Sequence, residues 1–471
     1  MSTLQQTIEK FARYGQEHIF RFADELSESQ RAELLAQSGE IDLEELKNLI
    51  QTHLRAEEKE DLSPNDLEPA PSIRVPENGG DPEAWEKARH HGEVLLRAGK
   101  VACFTVAGGQ GTRLGYDGPK GTYPVTPVEK KSLFQVFAEK IRAASKRYET
   151  NLPWFIMTSD LNHEATEQFF EKHDFFGLSR NDVFFFRQGR MPAVDEEGKL
   201  LLTEKDSLAL SPDGHGGSFK ALSRNGALEE MKKRDIEIIS YFQVDNPLVA
   251  VIDPAFIGFH QQTDSEMSSR MIPKRSADEK VGNFCLKDGK IQVVEYSDMP
   301  EELAGKTDSE GNLLFTAGSI AIHLIDRDFA DRMANSGDLP FHQAHKKVPF
   351  VNEKGEKIDP SEPNAFKFEK FIFDALPLAR NPLILETLRE EEFSPVKNAT
   401  GVDSAESCRQ DQVAQFVRWL AGAGAELPAA ANEKDFLLEI SPLFATNARE
   451  FRERWQQLDP KPELHNGLYL S

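Results

Sequence analysis

Val101-Ala102-Cys103-Phe104-Thr105-Val106 runs straight into Ala107-Gly108-Gly109-Gln110-Gly111-Thr112-Arg113-Leu114-Gly115, and Pro119-Lys120-Gly121 follows shortly after. Six apolar or small residues in a row are too short for a buried helix and suit a strand covered on both faces. Four glycines within the next eight residues leave backbone N–H groups open to phosphate oxygens. A plain tight turn would explain a lone Gly-Gly. Arg113 and Lys120 on the same loop favour anion binding, because Arg grips a phosphate with two donors and Lys adds a compact charge. The P-loop spacing fails, since Lys120 follows Pro119. The dinucleotide fingerprint G-x-G-x-x-G fails at Leu114, which disfavours a nicotinamide-dependent oxidoreductase.

Strand and helix patterns alternate outward from this point. Helices are expected over Pro82 to Ala98, Ser132 to Tyr148, Asn162 to His173 and Ser218 to Arg234. Strands are expected over Trp154 to Thr158, Val183 to Phe186 and Ile236 to Val244. The alternation predicts an α/β fold with a mostly parallel sheet, whose ligands sit at the carboxyl ends of its strands. Further β structure is expected within Asn283 to Phe315. Before the centre, helices are expected over Leu4 to Leu26, Ser27 to Gln37 and Asp42 to Leu54, with Asp42 as N-cap and Glu45 completing a capping box. A Pro-rich linker spans Glu57 to Pro82. After the centre, from about Gly401, the chain returns to helix at Glu406 to Leu420. The expected division is a helical region with linker at 1–82, a core at 83–400 and a small C-terminal region at 401–471.

The chain has 471 residues, 39% hydrophobic and 29% charged, enough to bury a core. Asp and Glu number 79 against 56 Lys and Arg, a net charge of -23 that disfavours nucleic acid and anionic membranes as partners. Three dispersed cysteines, Cys103, Cys285 and Cys408, argue against a disulfide framework. The first twenty residues hold no apolar signal core, and no stretch reaches the length of a membrane span. A cytoplasmic location is the expectation. The histidines form no zinc pattern: His163-Glu164 does not continue to H-E-x-x-H, and His342 and His345 read as a helical-spacing pair.

Other residues at strand ends have two readings each. Gln188 is a solvated turn residue or an amide for a base edge. Asp245 is the cap of an Asx turn or a ligand for a hard cation. Phe371 and Phe373, alternate positions of an expected strand, are core residues or walls of a site. Glu295 and Lys397 carry no signal alone.

GGQGTRLG (108–115) followed by PKG (119–121) resembles the signature of the eukaryote-type UTP-dependent sugar-1-phosphate uridylyltransferases. Within that family the chain looks like the UDP-N-acetylhexosamine pyrophosphorylases. PWFIMTS (153–159), FFRQG (185–189), SPDGHGG (211–217), FQVDNPLV (242–249), VVEYSD (293–298), LLFTAGSIAIH (313–323), FKFEKFIFD (366–374) and EEFSPVKNA (391–399) follow in the family's order. The resemblance implies a Rossmann-like nucleotidyltransferase core, UTP and a hexose 1-phosphate as substrates, and Mg²⁺ or Mn²⁺ as cofactor. It implies that Gly108, Gly109, Gly111, Thr112, Arg113 and Lys120 hold the triphosphate, and that Gln188 reads uracil. Gly214 and His215 are implied to contact uridine and sugar. Asp245 is implied near ribose, phosphate and metal. Gly282, Glu295, Phe371 and Phe373 are implied to line the sugar pocket, and Lys397 is implied to reach the phosphates.

The chain departs from the family at the sugar. Strict N-acetylhexosamine enzymes read D-G-N-G-G and N-A-G-N, where this chain has His215, Thr316 and Ser319. The G-H-G loop is similar to that of UDP-glucose and broad-specificity members. N-acetylglucosamine 1-phosphate is slightly favoured, with a glucose or broad-specificity enzyme as the alternative. A catalytically silent nucleotide-sugar binding protein is the remote one, disfavoured by the presence of Arg113, Lys120, Asp245 and Lys397.

Overall fold

The computed structural model describes residues 3–54, 66–337, 339–433 and 435–471. The chain forms two compact units that interleave along the sequence. One comprises Met1–Asp61, Gln188–Ser218 and Asp338–Asp374; the other comprises Leu62–Arg187, Phe219–Gly337 and Ala375–Ser471. The boundaries expected at 82/83 and 400/401 coincide with neither unit. Residues 57–65 of the expected linker lie outside the described residues.

The larger unit is built on a ten-stranded sheet. Val183–Arg187, Trp154–Thr158, Val101–Val106 and Ile238–Gln243 lie side by side in that order, all parallel. Ala317–Asp326 then pairs antiparallel with Ile238–Gln243, and Met267–Pro273 pairs with Ala317–Asp326. The expected α/β sheet, parallel through its centre, is present. Val101, Ala102, Cys103 and Phe104 are fully buried, which is why this strand is a continuous apolar run rather than an alternation. The helix Leu133–Tyr148 is capped by Ser132, whose side chain accepts from the Gln135 N–H, and buries Phe134, Phe137 and Ile141 on the sheet. Strand order turns back at Val101–Val106: the chain's next sheet strand lies on one side, Ile238–Gln243 on the other. The glycine loop therefore leaves the sheet at a topological switch point, where α/β sheets bind ligands.

The smaller unit draws its N-terminal helices, Thr3–Ala12, Glu28–Glu40 and Leu43–Leu49, onto the later segments. Phe11, Leu34 and Leu46 share one core with Val194, Leu200 and Phe368. Buried Gln16 clasps the turn at 198–200, donating to the Gly198 carbonyl and accepting from the Leu200 N–H. The first helical region is thus not independent of the later chain.

Several local readings change. Leu4 to Leu26 is one helix and two short 3-10 turns, broken near Gly15 at φ +67°. Ser218 to Arg234 splits into Ser218–Arg224 and Ala227–Lys233 around Gly226 at φ +73°. Asp42 caps its helix, while Glu45 pairs with Lys370 at 3.3 Å. The β structure expected within Asn283 to Phe315 is an antiparallel hairpin of Asn283–Lys287 and Lys290–Val294, whereas Leu313 to Phe315 is not a strand. Phe371 and Phe373 are not strand residues: a 3-10 helix, Ile372–Leu378, begins between them. His342 and His345 lie on a strand, His342–Lys346, not on a helix.

Glu266, at the entry to Met267–Pro273, is held by two short bonds from Arg332, at 2.8 and 2.6 Å, and by the Arg380 N–H. The Arg332 bonds, with help from Arg380 and against burial, bring its carboxyl down to about 2. A depressed carboxylate stabilises above its unfolded value and loses that effect as pH falls through the folded one. Glu266→Gln should cost about 2 kcal/mol at neutral pH, less than the full shift because Arg332 is half exposed. Urea midpoints of variant and wild type should converge as pH falls from about 5 to 2.

Candidate active site

The loop after Val101–Val106 is held by its carbonyls. Asn162 Nδ2 donates to the Ala107 and Gly109 carbonyls at 2.9 and 3.2 Å, and Ser159 Oγ donates to the Gly108 carbonyl at 2.9 Å. Both anchors come from the end of the neighbouring strand, Trp154–Thr158, and Asn162 Oδ1 accepts from the Ser159 N–H. With the oxygens tied back, the N–H groups of Gly108, Gly109, Thr112 and Arg113 donate to no protein atom among the described residues. Backbone amides arranged this way form an anion cradle. A Cβ on Gly111 would lie 2.7 Å from the Tyr116 ring, so the turn itself demands glycine there. A Cβ on Gly109 would meet only the Lys120 stem at 3.9 Å; the fold does not require this glycine, but close approach of a ligand would.

Arg113 is exposed on a short 3-10 turn, Thr112–Leu114, with no carboxylate partner among the described residues. Lys120, by contrast, is mostly buried and lies 3.3 Å from Asp245 Oδ2. Asp245 follows the Ile238–Gln243 strand, so the two adjacent strand ends bring together residues 125 apart in sequence.

Lys397 is exposed on a loop fastened to the same place. The Val396 N–H donates to the Asp245 carbonyl at 2.8 Å. Buried Asn246 completes the fastening: its Nδ2 donates to the Glu392 carbonyl and its Oδ1 accepts from the Ser394 N–H. The loop closes on Asp403, whose carbonyl accepts from the Lys397 and Asn398 N–H groups at 2.7 and 3.0 Å. Burial pushes the Asp403 carboxyl up, opposed by Lys397 and reinforced by Asp245. Lys140 steadies the loop after Asp245, donating to the Pro247 and Val249 carbonyls at 2.6 and 2.7 Å. Burial brings its amine down to about 7, with Glu392 opposing.

Gly282, Glu295 and Ser319 also meet. The Ser319 N–H donates to the Gly282 carbonyl at 2.8 Å, and a Cβ on Gly282 would lie 3.3 Å from Glu295 Oε1. The antiparallel hairpin brings Glu295 back over Gly282.

Gln188, Gly214, His215, Phe371 and Phe373 belong to the smaller unit. Gln188 Nε2 donates to the Gly214 carbonyl at 2.8 Å. Gly214, at φ +80°, lies against the backbone of Lys370, whose carbonyl accepts from the Gly216 N–H. His215 stacks on Phe371 with centroids 5.3 Å apart and meets Phe373 at 5.7 Å. Burial, aided by His342, takes its imidazole down to about 4, so it is neutral at pH 7.

The site residues thus form a phosphate loop with its Lys120–Asp245–Lys397 neighbourhood, a Gly282–Glu295–Ser319 group, and, in the smaller unit, an aromatic group around His215. Asn162, Asn246, Asp403 and Lys140 escaped sequence reasoning. Asn246 stands beside Asp245 within a quoted motif; the others leave no local signal.

For a divalent cation, Asp245 offers a carboxylate beside the anion cradle. Among the described residues no group of three or more His, Cys, Asp or Glu side chains is placed to hold a metal ion. A separate cavity of about 700 Å³ in the larger unit is walled by Trp85, Tyr148 and Trp419. Its Arg147 and Arg418 are paired with Glu450 and Glu391, so neither offers open charge to a triphosphate. No helix among the described residues is long and apolar enough to cross a membrane.

A family model described as UTP–glucose-1-phosphate uridylyltransferase matches residues 43–417. The chain is 39% identical to "UDP-N-acetylhexosamine pyrophosphorylase-like protein 1" of Homo sapiens, covering 94% of this chain and 93% of that protein. It is 36% identical to "UDP-N-acetylglucosamine pyrophosphorylase" of Saccharomyces cerevisiae, over 89% of this chain and 91% of that one. Among solved structures it is similar to the uridine diphosphate N-acetylglucosamine pyrophosphorylase from Trypanosoma brucei. The TM-score there is 0.84 at 26% identity, covering 100% of this chain and 98% of the other.

Proposed function

Because the chain belongs to the UTP–glucose-1-phosphate uridylyltransferase family, we propose that it joins UTP to a hexose 1-phosphate and releases pyrophosphate, with N-acetylglucosamine 1-phosphate the favoured sugar. The observation that carries this reading is the glycine loop, its carbonyls tied back and its N–H groups open, beside the Lys120–Asp245 pair. A sugar phosphate oxygen attacks the α-phosphorus in line, and pyrophosphate departs. No covalent enzyme intermediate is needed; positioning and charge neutralisation suffice. Gly108, Gly109, Gly111 and Thr112 cradle the triphosphate through the backbone, while Arg113 and Lys120 supply charge to it. Lys397 neutralises the phosphates being joined. A bound Mg²⁺ or Mn²⁺ supplies further neutralisation of phosphate charge, and Asp245 is the residue that would hold it. Gly282, Glu295 and Ser319 serve the sugar. Gln188 and Gly214 are assigned to the nucleoside, and His215, Phe371 and Phe373 to the sugar. Pyrophosphate release from UTP across a panel of hexose 1-phosphates tests the reading; silence with every sugar would end it.

Selectivity should be relaxed. His215 and Ser319 stand where a strict enzyme has two amides, and one lost hydrogen bond is worth about 1 kcal/mol net. The preference for N-acetylglucosamine 1-phosphate over glucose 1-phosphate should be tens-fold, not the roughly 10⁴-fold of a fully matched polar site. His215→Asn with Ser319→Asn should move the kcat/KM ratio towards the N-acetylated sugar. An unchanged ratio would show that these positions do not set the choice.

A further inference from the structure

His215 belongs to an aromatic group that ends on a carboxylate. Asp374 Oδ2 lies 2.8 Å from His342 Nε2. The His342 ring lies on Phe371 with centroids 4.3 Å apart and planes within 23°. Phe371 also stacks with His215, with planes within 19°. The backbone then fixes the proton. The Ile372 N–H donates to His215 Nδ1 at 3.1 Å. An N–H can only donate, so Nδ1 must be the bare nitrogen, and the neutral ring keeps its proton on Nε2. That Nε2 has no protein partner among the described residues.

We propose that Asp374 and His342 are positioning residues that hold His215, through Phe371, as a donor-only Nε2–H reader of the sugar substituent. The proposal rests on the assignment of His215 to the sugar. A locked imidazole can recognise an acceptor oxygen, such as an acetamido carbonyl or a hydroxyl oxygen. It cannot accept from a donor as an asparagine amide does. The backbone sets the tautomer and the stack sets the ring's place: Asp374 and His342 need not touch the ligand, yet they set where the donor points.

The test compares KM for N-acetylglucosamine 1-phosphate with KM for UTP in four variants of the full chain. His342→Ala and Asp374→Ala should each raise the sugar KM about tenfold and leave that of UTP within about twofold. Asp374→Asn should stay near wild type, because its amide oxygen still accepts from His342 Nε2–H. In the wild type, long-range ¹H–¹⁵N spectra should show His215 as the Nε2–H tautomer. If His215→Ala raises the sugar KM while His342→Ala and Asp374→Ala do not, the positioning role is overturned and the sugar assignment stands. If His215→Ala leaves the sugar KM unchanged, the assignment fails and the proposal with it. Equal rises in both KM values, or a proton on Nδ1, would also overturn it.

Discussion

Lys120→Ala should lower turnover by about 10²–10³-fold with little change in thermal midpoint. Lys120 is mostly buried, yet its ammonium lies at the open end of the sheet, 3.3 Å from Asp245. A charge in that position acts on whatever negative charge develops beside it, and water is too scarce there to screen it fully. On the proposed role, removing it deletes a donor whose work grows as charge shifts towards pyrophosphate, so kcat should fall more than KM for UTP rises. The stability cost is small because the backbone around it is held independently: the Lys120 N–H donates to the Gly109 carbonyl, and Asp245 keeps its carbonyl bond from Val396. Lys120→Arg should recover only part of the rate, since a planar fork cannot occupy the place of a compact ammonium beside Asp245. Arg113→Ala should also slow turnover by a large factor, without the coupling to Asp245. Near-normal turnover in both alanine variants would remove the phosphate loop from the mechanism.

Chelation of divalent cations should abolish activity, and Mg²⁺ or Mn²⁺ should restore it where Zn²⁺ does so poorly. The carboxylate of Asp245 and the phosphate oxygens of UTP would together offer an oxygen-only donor set, which favours hard cations. Asp245→Asn should raise the Mg²⁺ concentration needed for half-maximal rate. It should also weaken Mn²⁺ binding in the presence of UTP, read directly from the free Mn²⁺ electron paramagnetic signal. Asp245 is paired with Lys120, so the substitution also frees the lysine, and the two variants should not be additive. Full activity in cation-free buffer would contradict the role given to Asp245.

Much of the site was legible because its signals are local. Glycines at 108, 109 and 111 directly after an apolar strand state a backbone need, and Arg113 and Lys120 state a charge. The motif order around Gln188, His215, Asp245 and Lys397 came from family resemblance; as single residues they would have stayed ambiguous. Phe371 and Phe373 illustrate a wrong route to residues that do come together. The alternation suggested one face of a strand, whereas the 3-10 turn starting at Ile372 brings their rings to 5.2 Å. His342 and His345 have helical spacing in the sequence, and only the strand His342–Lys346 places His342 on Phe371.

The sequence by itself determined the α/β alternation from Val101 to Arg187, the strand-to-loop junction and the helix cap at Asp42. These depend on periodicity, glycine conformation and hydrogen bonds spanning a few residues, so they are written in neighbouring positions. Only the tertiary structure decided that Met1–Asp61 shares a unit with Gln188–Ser218 and Asp338–Asp374. It alone placed Lys140 on the carbonyls of Pro247 and Val249, Asn246 on the loop leading to Lys397, and the Ile372 N–H on His215. Each of these contacts joins residues more than a hundred positions apart. Their partners are mostly backbone groups, which every residue carries alike, so no side-chain pattern along the chain could announce them.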